Sequence, residues 1–365
     1  EFRGNSAHSN PAHGVRVYPA WHPLKNPCDP NSPTEPTYLY DFTAFKTGSQ
    51  ALFLKSIGDL HFVNNKFVAS AWVNLVNLDV PFSDRPVLDH SLHVATTRTD
   101  GSYNGLPSVM APQNEHFYMR NATLVNYGRA GALAGCNKCA SSSNMKQGGF
   151  TFRFSGMKFI NSPRRTKWTA PYRQIFHDLD GTLTGHSKGW VTPYRAWNMW
   201  DTVCEKPADV TTDSGSTISP YDGGIVCNGN VHMRRVSVDG ANPMEMDWKR
   251  MIVSSDAGSG EELFYPKDTY GWVFVAADQR SYSVRLGTDA DWTSLRVTYS
   301  RPQYVDQYVP ADHASAVHQG LVTPTAPAAS PTSPVVRLFG QDNQGAVAAS
   351  HTAPEWIALT FPFLD

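Results

Sequence analysis

The residues best placed to do chemistry lie in IFHDLDGTLTG, positions 175–185, where two carboxylates stand two residues apart ahead of a Gly-Thr pair. In that pattern Asp178 could attack phosphorus, Asp180 could handle the leaving-group proton beside a metal ion, and Thr182 could position the phosphate. Two carboxylates followed by glycine can also place oxygens around a hard cation, so Asp178 and Asp180 are candidate calcium ligands. The bland alternative takes precedence over both: short acidic side chains at a chain corner accept hydrogen bonds from turn amides. His177 beside them is read first as a structural histidine and only second as a proton shuttle.

A phosphatase of the haloacid-dehalogenase type needs more than this motif. It needs an α/β body behind it, a lysine, and a late acidic pair for the metal. Here the motif runs into HSKGWVTPYRAWNMWDTVC, with proline and bulky aromatics but little helical periodicity, and TDADW at 288–292 leads into strand-like LRVTY. The phosphatase reading therefore ranks last. Cleavage of an acidic polysaccharide would need a carboxylate pair across a groove, or arginine together with a base, and Asp178, Asp180, His177 and Arg173 are the candidates.

Other constellations are weaker. DHSLH offers Asp89, His90 and His93 as metal ligands, against the plainer reading of a solvated loop. Trp168, Trp190, Tyr194, Trp197 and Trp200, near the basic Arg164, Arg165 and Lys167, form the densest aromatic group; flat rings pack on the C–H faces of sugars, but they can equally fill a core. Five cysteines, Cys28, Cys136, Cys139, Cys204 and Cys227, are disulfide candidates, and the odd count leaves at least one thiol free or paired outside the chain. The Cys136/Cys139 CxxC has no second half at zinc-ribbon spacing, so a disulfide is the better reading. Asn121-Ala122-Thr123 is a competent N-glycosylation sequon if the chain is secreted.

These residues must be held by strands. With 41% hydrophobic and 12% aromatic residues the chain can bury a large core, and 31 Lys+Arg against 32 Asp+Glu leave no electrostatic footprint for nucleic acid. No apolar run reaches the length of a bilayer span, which predicts no direct membrane insertion, and the start at Glu1 without a leader-like segment reads as a mature or excised soluble piece. Short β-branched and aromatic runs bounded by Gly, Asn, Pro and Asp recur throughout, while helical spacing is scarce. LHFVNNKFV, ATLVNYG and MKFINS each end an apolar strand on Asn, which visits left-handed dihedrals cheaply and suits a coil corner, where such residues can stack into ladders. The spacing alone leaves a β-sandwich open beside a solenoid. The expected organisation is a body over 1–260, a β-rich continuation or small β-domain over 261–310, a Pro/Ala/Ser/Thr-rich linker over 311–334 and a C-terminal β segment over 335–365 that packs back.

One resemblance covers most of the chain. AHGVRVYPAWHP, FTAFKTGSQALFLKSIGDLHFVNNKFVAS, GGFTFRFSGMKFINSPRRTKW with QIFHDLDGTLTG, and GGIVCNGNVHMRRVSV with ANPMEM occur in an order that resembles the extracellular family of fibrocystin-L and the cell-migration-inducing hyaluronan-binding protein. The resemblance implies a right-handed parallel β-helix with an irregular β-rich C-terminal part, and a secreted or cell-surface location. It implies a structural or adhesive role with polysaccharide, glycoprotein or other extracellular proteins as partners, and in some members depolymerisation of hyaluronan. It places the DLDG turn inside a solenoid. The glycine-rich domain that precedes the solenoid in those relatives is not recognisable here, so binding is implied more than cleavage. No cofactor is certain from the sequence, and calcium at Asp178 and Asp180 is the one candidate.

Overall fold

In a computed structural model, residues 2–69, 72–75, 87–95, 106–112, 117–128, 131–134, 151–167, 175–193, 204–212, 215–222 and 224–229 are described, together with the backbone of nine strands between Met233 and Thr360. The fold is all-β, with no helix among the described residues.

The first eighteen strands repeat in threes. Phe2–Arg3, Ser6–His8 and Val15–Val17 make one coil, and Thr37–Tyr40, Thr43–Phe45 and Gln50–Leu54 make the next. Every third strand pairs in parallel with its counterpart, which gives three parallel sheets. Six such coils, the last formed by Thr151–Ser155, Lys158–Ile160 and Thr166–Lys167, build a parallel β-helix, as the sequence leads one to expect.

Parallel pairing in register stacks like positions into columns. In the first sheet Leu39, Phe62, Leu88, Met119 and Phe154 form an inward column, each no more than 1% exposed. The second sheet contributes Ala44, Phe67, His93 and Leu124, and the third Leu52, Val73, Val109 and Leu133. Each large aliphatic or aromatic side chain taken from water contributes about 1.5–3 kcal/mol, so these columns hold the coils in place.

The corner between the first and second sheets is a column of left-handed backbone: Gly4 (φ 66°), Asp41 (56°), Asn64 (57°), His90 (52°), Asn121 (54°) and Gly156 (60°). Each corner amide donates to a carbonyl one coil further on: Gly4 to Tyr40, Asp41 to Val63, Asn64 to Asp89, His90 to Arg120 and Asn121 to Ser155, at 2.8–3.1 Å. A second left-handed column follows the second sheet and includes Asn126 (68°) and Asn161 (46°), whose side chains bond to each other at 2.9 Å. Asparagine tolerates this conformation because its short polar side chain bonds locally.

After the sixth coil the pattern changes. Ile175–Asp178 adds once more in parallel to Thr151–Ser155, but Gly189–Pro193 then returns antiparallel on it, followed by Gly224–Cys227 and Cys204–Glu205. Tyr221–Asp222 closes the third sheet in parallel on Thr166–Lys167. The strands from Met233 onward form two further, mainly antiparallel sheets.

Candidate functional site

The DLDGT turn sits where parallel coiling ends. Asp178 is in register with Phe154 and so takes the next inward place in a column that is otherwise apolar. It is 0% exposed. A carboxylate can occupy that place because donors surround it: Gly181 N to Oδ1 at 3.1 Å, and Leu183 N, Thr184 N and Thr184 Oγ1 to Oδ2 at 2.9, 2.6 and 2.8 Å. The turn closes tightly through Gly181 (φ 89°) and Gly185 (φ 88°), with the Gly185 amide donating to the Gly181 carbonyl at 2.8 Å.

Asp180, beside it, reaches the corner column. Its Oδ2 accepts the Gly156 amide at 2.6 Å, and its Oδ1 accepts the Thr182 amide at 3.1 Å and the Thr182 hydroxyl at 2.6 Å. Thr182 Oγ1 in turn accepts the Met157 amide at 2.9 Å. In earlier coils the amide of the corner residue meets a backbone carbonyl of the following coil. At Gly156 the Asp180 carboxylate stands in for it. Side chains of DLDGT thus complete a ladder for which backbone acceptors have run out.

The two carboxyls are driven apart electrostatically. Burial pushes Asp178 up, against the opposing hydrogen bonds from Thr184 and with the charge of Asp180 adding to the rise. Burial also acts to raise Asp180, but hydrogen bonds from the Thr182 side chain, the Gly156 and Thr182 amides and Asp178 outweigh it and hold Asp180 low. A nucleophile needs an open line to its target, and Asp178 has no exposed surface. Cations are also poorly served, since the carboxylate oxygens already face N–H and O–H donors. Among the described residues no three His, Cys, Asp or Glu side chains converge as a metal-binding group.

His177 points to the opposite side of its strand from Asp178. Its ring lies parallel to that of Trp190, with centroids 3.8 Å apart and planes 2° apart, and both are buried. Trp190, the one described member of the aromatic group, is 1% exposed. The same row continues through the cross-strand pair Trp190 and Cys227 to the Cys204–Cys227 disulfide. Cys28 is an exposed free thiol. Trp168, Arg173, Tyr194, Trp197, Trp200, Cys136 and Cys139 lie outside the described residues.

The DHSLH residues separate. Asp89 accepts Arg120 Nη2 at 2.6 Å and Asn121 Nδ2 at 3.3 Å and pairs with His90 at 2.7 Å. Burial acts to raise Asp89, but Arg120 above all, with His90 and Asn121, holds it low. His93 faces the core instead, against Phe67 at 4.9 Å and bonded to Ser91 Oγ at 2.9 Å, and burial pushes it down to about 3. It is therefore neutral at ordinary pH.

Beside the DLDGT turn lies a groove of about 620 Å³, lined among others by Phe159, Arg165, Thr184, Glu205 and Tyr221. Arg165 Nη1 donates to the Leu183 carbonyl at 2.5 Å and to Tyr221 Oη at 3.2 Å, while Tyr221 donates to the same carbonyl at 2.8 Å. Sequence reasoning missed Gly156, Thr184, Arg165 and Tyr221 as partners of this turn. The alternation Thr182-Leu183-Thr184 is the one signal that could have shown Thr184; the others come from distant coils.

No family model matches the chain. Mouse fibrocystin is 26% identical over 329 residues, which is 88% of this chain and 7% of that protein. Dog fibrocystin is 26% identical over 330 residues, again 88% and 7%. Mouse fibrocystin-L is 19% identical over 325 residues, 84% and 7%. The chain is homologous to fibrocystin and fibrocystin-L. It spans about 7% of the length of these curated relatives. The match covers most of the chain, and it joins a β-rich fold and a disulfide in a fibrocystin-like chain.

Proposed function

We propose that this chain is an extracellular or cell-surface β-helix module with a structural and adhesive role, which contacts polysaccharide, glycoprotein or other extracellular proteins through its faces and does not use its DLDG turn for catalysis. The observation that carries this reading is the use of both carboxylates to close the coil stack: Asp178 accepts four protein donors and Asp180 replaces a missing backbone acceptor at Gly156. Homology to fibrocystin and the Cys204–Cys227 disulfide support a place outside the reducing cytosol. On this reading the exposed corner residue Asn121 carries an N-linked glycan. A rigid solenoid presents long flat faces with fixed spacing, which suits a spacer or adhesive element.

The test is incubation of the purified chain with a panel of neutral and acidic polysaccharides, followed for retention and for shortening of the glycan. Retention without shortening supports the module. Shortening that disappears in Asp178→Asn would overturn the non-catalytic reading.

A further inference from the structure

Residues 15–21 of the first coil run beside residues 52–58 of the second. Arg16 pairs with Phe53 and Val17 with Leu54, the Lys55 amide donates to the Val17 carbonyl, and the Trp21 amide donates to the Ser56 carbonyl at 2.9 Å. Strand alternation sends Val17 and Leu54 into the core, 7% and 0% exposed, and sends their neighbours outward. Those neighbours are Arg16 and Tyr18 on one coil and Phe53 and Lys55 on the other. Tyr18 is 56% exposed, the largest value for any big hydrophobic side chain among the described residues, and Trp21 three positions on is 40% exposed.

Two cations lie over the Tyr18 ring, Arg16 Cζ and Lys55 Nζ each 4.7 Å from its centroid, and Tyr18 keeps more than half of its surface in water. Among the described residues neither has a carboxylate partner. The chain as a whole is near neutral, with a net charge of -1, so this doublet of positive charge, held on aromatic rings and paired with no acid among the described residues, is local. Rings left in water beside ordered cations are the two halves of recognition for a charged sugar: the C–H face packs on the aromatic, and the anionic group meets the cations.

We propose that Arg16, Tyr18, Trp21 and Lys55 form a binding site for an acidic glycan, a chain whose sugars carry carboxylate or sulfate groups. The site rests on the glycan-contact part of the function proposed above and gives it a location and a ligand class. The DLDGT cap, at the other end of the coil stack, takes no part in it.

The experiment uses the full 365-residue chain. Its binding to heparin, polygalacturonate and dextran is measured against the double variants Arg16→Ser/Lys55→Ser and Tyr18→Ala/Trp21→Ala, with thermal melts as a control for folding. All four side chains lie on the outside, so the melts stay close to wild type. The expected result is binding to heparin or polygalacturonate that weakens about tenfold in each double variant, falls with added salt, and is absent for dextran. Heparin alone identifies sulfate as the recognised group, and polygalacturonate alone identifies carboxylate. Acidic-glycan binding that the variants leave intact, or binding to dextran alone, overturns this site while leaving glycan contact standing. No binding to any of the three overturns both.

Discussion

Asp180 Oδ2 accepts the Gly156 amide at 2.6 Å, at the height where the five preceding corner amides each find a backbone carbonyl. That relationship makes the acidic turn an architectural device, and it predicts how substitutions there behave.

Replacing Asp178 by Ala strips the acceptor from the buried amides of Leu183 and Thr184, each worth about 1–3 kcal/mol when left unsatisfied. A loss of about 2–5 kcal/mol in chemical denaturation is expected, with Asp178→Asn milder because one oxygen remains. A variant as stable as wild type, which is the usual behaviour of a catalytic carboxylate released from strain, would contradict the capping role.

Gly156 combines a left-handed φ of 60° with a neighbour, Asn121, whose Oδ1 an added Cβ would strike. Gly156→Ala is expected to cost about 1–3 kcal/mol. Adding Asn121→Gly should recover part of that loss, and a double-mutant cycle in urea would read the coupling. Strict additivity would show that the collision is relieved some other way.

His93 sets an acid limit. Its folded-state pKa is about 3 against an ordinary 6.5, so the folded chain keeps it neutral while the unfolded chain binds a proton. Its contribution is fully present above pH 6.5 and is lost as pH falls from there toward 3. At about pH 5 the loss amounts to roughly 2 kcal/mol. Melts between pH 7 and 5 should show it, and His93→Leu should flatten the slope; an unchanged slope would assign the acid sensitivity elsewhere.

Asn121 stands at an exposed corner, with its amide side chain only loosely bonded to Asp89 at 3.3 Å. Expressed through a eukaryotic secretory pathway, the chain should carry one glycan there, seen as a mass increment that glycosidase removes and Asn121→Gln or Thr123→Ala abolishes. An unmodified Asn121 in secreted material would exclude it.

Much of the fold could be read from residues that announce corners. Asn64, Asn126 and Asn161, which close LHFVN, ATLVN and MKFIN, all adopt positive φ. His90, Lys46 and Ala69 do the same without any local signal, because stacking against neighbouring coils overrides their preference. Columns were harder to see: the step between stacked positions is 37 residues from Phe2 to Leu39 but 23 from Leu39 to Phe62, so no fixed period exposes them. That is why Asp178 could be singled out as chemically suggestive while its place under Phe154 could not. The joining of Cys204 to Cys227 and the meeting of Arg16, Tyr18 and Lys55 likewise depend on register between strands far apart in sequence.

The Asp180 contact also sets a length. A stack of parallel coils is in principle endless, since each rung offers the next the same row of donors and acceptors, and an unprotected final rung is a template on which other chains can grow. By meeting the last corner amides with a carboxylate and a hydroxyl, and by folding the following strand back antiparallel, the chain ends its own count at six. Loss of that ending would turn a finite stack into a seed for filaments.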